Sequence, residues 1–317
     1  MTAVRLTSPT DVLEAVPVLL GFYPTESLCA LYFDGPTLAL TARMDLPTDD
    51  TETSRTLDHL DAMLDRYPTT LLVIYSADQE EARATMRRII THTGAAKIRA
   101  AILATPPGWT TVDPNMPDAV QWTNPYPTGT GPVAAALAVQ GLYAMGTRDD
   151  LAESIQAPDH QTAADYAAGR ALDVVPDQAN THQLQTMAVE TRDRVTAYLH
   201  QPTTILPEDA AYLAARIRFA AARDETNRLL DKTTAAALAS MWQAVAGMTP
   251  DEDALPVLGC LGLAAWVAGN GALASVALER GEHLPEATGS ELLRIVRQVL
   301  DRAIPPSLWD DLRGGLF

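Results

Sequence analysis

The spacing of apolar residues changes character along this chain. Val12, Leu13, Val16, Leu19 and Leu20 recur at helical intervals. Ser8 stands where it can cap that helix, Pro9 suits its first position, and Pro17 and Gly21 limit its length. Residues 27–33 are apolar and β-favouring, Asp34-Gly35 is a turn pair, and residues 37–46 alternate, which predicts a hairpin stopped by Pro47. Residues 51–67 predict a helix with Leu57, Leu60 and Leu64 on one face. Residues 71–75 form a short apolar run typical of a strand buried on both sides. Ser76-Ala77-Asp78 opens a helix over 79–93, ended by Gly94, and 98–104 is the next strand. Residues 109–112 and 119–123 predict a second hairpin, 124–132 a loop and 132–146 an Ala-rich helix.

Beyond about residue 155 no strand signal competes with the helical period. Helices are predicted near 160–172, 178–200, 207–230, 233–247, 254–268, 271–281 and 288–303. The expectation is therefore an α/β half, a mixed sheet flanked by helices, over residues 1–155, followed by an all-α half over 156–317. Within the second half, Ala264-Ala265-Trp266 meets the tight turn Gly269-Asn270-Gly271, and Ala272, Ala274 and Ala277 supply small residues on the next helix. Small residues let two helices approach closely, so this stretch reads as a tetratricopeptide-like helical hairpin, with a partial second copy and no array. The plain alternative is a hairpin that merely packs.

Charge narrows the function classes. The chain has 317 residues and a formal net charge of −17. Ten basic and 19 acidic residues lie up to Pro158, and 13 and 21 lie after it, so the acidity is spread evenly. Such a surface repels phosphate backbones, which disfavours nucleic acid as a partner. Arg83, Arg87 and Arg88 are the local exception, and a solvated helix face explains them as well. Only Lys97 and Lys232 are lysines, a usage that suggests a GC-rich coding genome. Cys29 and Cys260 each sit in an apolar run and read as buried thiols of a reducing compartment. The first residues do not read as a signal peptide and no stretch is long enough to span a membrane, so a cytoplasmic location is expected.

The chemistry-bearing residues are few. No Gly-x-Gly-x-x-Gly or Gly-x-x-x-x-Gly-Lys motif occurs, and no Gly-x-Ser-x-Gly elbow. Gly129-Thr130-Gly131-Pro132 precedes a helix and offers amides to an anion, or is a plain turn. The six histidines lack metal-ligand spacing, although His59 lies between Asp58 and Asp61 and His160 follows Asp159. No cofactor is implied. Ser27 opens the first strand with Glu26 and Arg43 as neighbours, and it is a candidate nucleophile or a turn-fixing hydroxyl. Asp78 lies past the carboxyl end of the 71–75 strand, where α/β sheets place ligands, and it also suits a helix cap. Arg43 and Asp45 are similar catalytic candidates, with Tyr75 and Ser76 beside them. Arg223-Asp224-Glu225 reads as an ion-pair cluster between helices. Trp266, Asn270 and Trp309 are candidate binding residues; of the tryptophans Trp309 is best placed to face a partner, and docking of the terminus onto its own domain is the alternative.

The run from Ser8 to Leu28, the segment Thr41-Ala42-Arg43-Met44-Asp45-Leu46-Pro47, the Trp266–Ala274 stretch and Pro305-Pro306-Ser307-Leu308-Trp309 together resemble one family. It is the domain-of-unknown-function family numbered 4192, found mainly in actinobacteria and their phages. The resemblance spans nearly the whole chain and implies that both halves belong together, but it brings no activity, cofactor or site. Its members often carry cysteines in the stretch here occupied by residues 122–127; this chain has none there, so no thiol or metal role is expected of it.

These features lead first to a non-catalytic protein-interaction or regulatory module with a protein partner. A small-molecule hydrolase or nucleotide-modifying enzyme, with its site at the carboxyl ends of the sheet, is the alternative. A phage structural or assembly accessory protein, compatible with self-association, is the third reading.

Overall fold

A computed structural model describes residues 4–67, 69–105, 108–117, 124–125, 131–139, 144, 146–172 and 180–315. Contacts divide the chain into two compact units, Met1–Arg148 and Asp149–Phe317.

The first unit opens with α1 (Pro9–Leu20), whose start is the predicted one. The Ser8 hydroxyl accepts from the Asp11 amide, and the Asp11 carboxylate accepts from the Ser8 amide, which satisfies two otherwise orphaned donors. Pro17 does not stop the helix; it lies inside the last turn, and the chain leaves at Gly21 (φ 83°), a left-handed conformation that glycine adopts without penalty.

A hairpin follows, β1 (Ser27–Asp34) and β2 (Thr37–Asp45), then α2 (Asp50–Arg66), β3 (Thr69–Tyr75), α3 (Gln79–Thr93), β4 (Ile98–Thr105), β5 (Gly108–Val112), β6 (Asn124–Pro125) and α4 (Pro132–Ala138). The strands form one sheet in the order β2-β1-β3-β4-β5-β6. Only β3 and β4 are parallel, joined through α3; the other neighbours are antiparallel. The mixed sheet flanked by helices that the sequence predicts is thus present. β1 and β3, in the middle, carry the apolar core: Leu28 to Tyr32 and Leu72 to Ile74 are almost wholly buried.

Two further details of this unit differ from the sequence reading, and one lies outside the described residues. The predicted strand over 119–123 lies outside the described residues; β5 instead pairs with Asn124–Pro125, inside the predicted loop. Pro125 is tolerated there because an edge strand need not donate outward. The Ala-rich helix closes at Ala138, and Val139 is 89% exposed.

The second unit is helical throughout its described residues: α5 (Arg148–Glu153), α6 (His160–Leu172), α7 (Thr181–His200), α8 (Pro207–Ile217), α9 (Ala220–Asn227), α10 (Ala235–Met248), α11 (Asp251–Val267), α12 (Gly271–Glu282), α13 (Glu291–Asp301) and α14 (Trp309–Leu312). α11 is its axle. It packs against α8, α10, α12 and α13 and is buried from Val257 to Val267, which is why its apolar residues show no amphipathic stripe. Gly259 and Gly262 face Leu292 and Val296 of α13; a Cβ at Gly259 would stand 2.8 Å from the nearest Leu292 atom.

The single helix predicted over 207–230 is two helices. The chain extends at Phe219 (φ −87°, ψ 129°), which packs on Met187, Ala188 and Ala222 between α7 and α9. Burial of an aromatic side chain outweighs the helix propensity of its neighbours. The turn between α11 and α12 closes α11 by a Schellman motif: the Asn270 amide reaches Ala265 O, the Gly269 amide reaches Trp266 O, and Gly269 has φ 81°.

Candidate functional site

The antiparallel register sets Ser27 opposite Asp45 on one side and Tyr75 on the other, and Cys29 opposite Arg43. Opposed residues in a sheet share a face. The side chains of Ser27, Arg43 and Asp45 are therefore neighbours, and they form a chain. Ser27 Oγ donates to Thr25 O at 2.6 Å and accepts from Arg43 Nε at 2.8 Å; Arg43 Nη2 pairs with Asp45 Oδ1 at 2.6 Å.

A second network lies one position along. Glu26 has φ 41°, uncommon for a residue with a side chain. Its carboxylate accepts from Ser76 Oγ at 2.7 Å and from the Ala77 amide at 2.7 Å. Ser76 Oγ in turn accepts from the Asp78 amide at 3.1 Å. Asp78 Oδ1 accepts from the Glu80 and Glu81 amides and so caps α3.

The sequence-predicted residues thus gather at one end of the sheet, where β1 begins and β2 and β3 end, but in two networks. The two networks meet at the Glu26–Ser27 peptide link. Ser27 is wholly buried and Ser76 is 4% exposed. A serine nucleophile needs an oxygen open to substrate and a base to take its proton. The Ser27 proton points at a backbone carbonyl, which is no base, and its oxygen already meets the Arg43 guanidinium. Ser76 does face a carboxylate, but its oxygen is occupied by the Asp78 amide. Ser27 and Arg43 bind β1 to β2; Glu26 and Ser76 bind β1 to β3.

Cys29 and Cys260 are both free and buried, and burial pushes each thiol up to about 12. Such thiols are protonated and unreactive near neutral pH. Among the described residues, no group of three or more His, Cys, Asp and Glu side chains is arranged to hold a metal ion. His59 is half-buried, and that burial pushes its imidazole below the ordinary range. His92, not His59, pairs with Asp61, at 2.9 Å.

The basic trio is distributed over α3. Arg83 pairs with Glu80 at 3.5 Å, and Arg88 donates to Thr53 Oγ1 at 3.2 Å. Arg87 and Arg88 line a shallow open cleft with Leu57, Thr91 and His92, between α2 and α3. At the start of α4, the anion that the Gly131-Pro132 turn can accept is one of the chain's own groups. Glu14, 7% exposed in α1, accepts from the Val133 amide at 3.2 Å, and a Cβ on Gly131 would overlap its carboxylate.

In the helical unit, the tryptophan best placed to face a partner is internal. Trp309 is wholly buried: its indole N–H donates to Leu230 O at 2.9 Å, and its ring meets Trp266 edge-on at 6.0 Å. Trp266, 3% exposed, donates to Ile304 O at 2.9 Å. The two indoles anchor this segment on its own unit, so of the two readings open for Trp309 the structure has the docked one. Asn270 caps α12 by accepting from the Leu273 amide at 3.0 Å. Of the Arg223-Asp224-Glu225 cluster, Glu225 ties α9 to α7 through Arg192.

Sequence reading missed Glu14 and Arg280, and it named Glu26 only as a neighbour of Ser27. Glu14 caps α4, Glu26 joins two strands, and Arg280 lies 9% exposed among the ends of α5, α10 and α11. Arg280 donates to Ile155 O, to Ala246 O at 2.9 Å and to Thr249 O at 3.1 Å, and it pairs with Asp251 at 2.8 Å. A charged residue flanked by apolar ones within a helix is the signal for Glu14; Arg280, between Glu279 and Gly281, carries no such signal.

A family model described as "Domain of unknown function (DUF4192)" matches residues 9–307. No curated protein and no solved structure matches the chain. No helix among the described residues is long and apolar enough to cross a membrane.

Proposed function

For a chain that belongs to the domain-of-unknown-function family numbered 4192, we propose a non-catalytic protein-interaction or regulatory role. The observation that carries this reading is the double engagement of Ser27, which donates to Thr25 O while accepting from Arg43. The residue best placed by sequence to be a nucleophile is spent on holding two strands together. In this reading the protein works in the cytoplasm of an actinobacterial or phage-infected cell. The α11–α12 pair is its tetratricopeptide-like element, and the outer sides of α12 and α13 are the contact face, because α11 itself is covered all round. The net charge of −17 favours a partner with a basic face and speeds encounter with it.

The test is affinity capture with the full chain as bait at two salt concentrations. A partner with a basic face, captured at low salt and weakened at high salt, is the expected result. Sinking the reading takes a hydrolytic or nucleotide-modifying activity of the purified chain that Ser27→Ala or Asp78→Ala abolishes without unfolding it.

The enzyme reading has one observation of its own. Ser76 donates to a carboxylate, that of Glu26, and Glu26 is held in an uncommon backbone conformation at the carboxyl end of the β3–β4 parallel pair. An activity lost in Ser76→Ala and retained in Ser27→Ala would select it. The assembly-component reading rests on self-association.

A further inference from the structure

Arg87 and Arg88 take no part in the two sheet-end networks. On α3, Ala84, Arg87, Arg88 and Thr91 stand at i, i+3, i+4 and i+7 and so share one face. That face meets α2 along a cleft of about 420 Å³ lined by Leu57, Ala84, Arg87, Arg88, Thr91 and His92. Small-molecule sites hold about 300–1,000 Å³, so the cleft is large enough for one. Two contacts between the helices hold its walls. Arg88 Nη1 donates to Thr53 Oγ1 at 3.2 Å, and His92 Nε2, one turn further on, meets Asp61 Oδ2 at 2.9 Å. Leu57 is buried and, with Ala84, gives the cleft an apolar side.

The acceptor on Arg88 sets it apart. Acidic residues outnumber basic ones 40 to 23, and Arg43, Arg83 and Arg170 each pair with a carboxylate. Among the described residues Arg88 meets a neutral hydroxyl instead. A guanidinium has five donors, and the Thr53 contact takes one of them. The rest of the fork stands on an exposed helix face, with Arg87 one residue before it. The Asp61 carboxylate at the other end of the cleft is engaged by His92.

We propose that this cleft binds a phosphate monoester whose organic part is small and apolar. A doubly charged phosphate presents three acceptor oxygens, which suit the Arg88 fork, the Arg87 guanidinium and the Thr91 hydroxyl together. Leu57 and Ala84 take the apolar group. A carboxylate brings less charge and two oxygens, and satisfies fewer of these donors. The net charge of −17 repels anions at long range, so short-range contacts in the cleft carry the binding. The site does not depend on the protein partner proposed above.

The probe is phenyl phosphate, titrated into the full chain at physiological salt in a phosphate-free buffer and followed by calorimetry. Saturable one-to-one binding is expected, tighter than that of inorganic phosphate or of benzoate. Arg88→Gln removes the charge and most of the donors at an exposed position, and should weaken binding about tenfold with unchanged circular dichroism. Arg87→Gln should weaken it by a similar factor. Arg99→Gln changes an exposed arginine of β4 that does not line the cleft, and should leave binding as it is. Absence of saturable binding overturns the proposal. So does an Arg99→Gln loss as large as that of Arg88→Gln, because any surface cation would then suffice. Benzoate or inorganic phosphate binding as tightly as phenyl phosphate overturns it as well.

Discussion

The Glu14 carboxylate accepts a hydrogen bond from the Val133 amide, so a buried acid on the first helix caps a helix that begins 118 residues later, at Pro132. α4 is short and has no cap of its own, and α1 supplies it. The apolar cluster of Ala15, Val18, Val133, Ala134 and Leu137 forms around that contact. At Gly131, the residue before α4, nothing larger than hydrogen fits beside that carboxylate.

Gly131→Ala should therefore destabilise the chain by about 1–3 kcal/mol, as overpacking does. Glu14→Gln keeps the size and an acceptor oxygen and loses only the charge at the helix start, so it should cost less than about 1 kcal/mol. Urea denaturation of both variants checks the order. A Gly131→Ala chain as stable as the parent would mean the Glu14 side chain has room to move away.

Trp309 should be among the most sensitive positions near the end of the chain. Trp309→Ala empties a fully buried site and should cost about 3–5 kcal/mol. Trp309→Phe keeps most of the volume but leaves Leu230 O without its donor, for about 1–3 kcal/mol. Thermal unfolding of the two variants separates the packing from the hydrogen bond.

How much of this was legible in the sequence depended on the range of the forces involved. α3 runs over the residues its capping Asp78 and closing Gly94 predicted, because capping is decided within one turn of chain. The break at Phe219 was not legible; no proline or glycine marks it, and the apolar neighbours that favour it come partly from α7. The sheet-end cluster was half legible. Ser27, Arg43, Asp45 and Asp78 stand at strand ends that periodicity reveals, whereas the Glu26–Ser76 contact joins residues 50 apart. Nearness to a terminus leaves Trp309 two readings, facing a partner or docking on its own unit; the docking depends on Leu230 O and the Trp266 ring, which only the fold brings to it.

Arg280 presents a polar analogue of the tryptophan test. Its guanidinium reaches three backbone carbonyls at the ends of two helices, α5 and α10. Arg280→Met fills the space but strands those acceptors, and should destabilise by about 1–3 kcal/mol for each left without water. Arg280→Lys keeps the charge without the fork and should recover only part of the loss. A Met variant as stable as the parent in urea would show that the carbonyls find other donors.

The two thiols give a pH dependence of known sign. Each is raised from 9.0 to about 12 by burial. Between those values the folded chain holds more protons than the unfolded one, so stability is fully present below pH 9 and falls as pH rises above it. A thiol reagent at pH 8 should find neither cysteine in the folded chain and both after denaturation. Rapid labelling of the native protein would contradict the burial of these side chains.

At the α11–α12 turn, Asn270 serves both helices: its amide closes the first and its side chain opens the second. The joint has no spare residue. Inserting even one amino acid between Gly269 and Asn270 would separate the left-handed residue from the amide that completes the closure, and would rotate α12 about 100° out of phase with the axle it packs on. The residue count between these two helices is therefore as fixed as a gear ratio, and a graft or tag placed there has no neutral length.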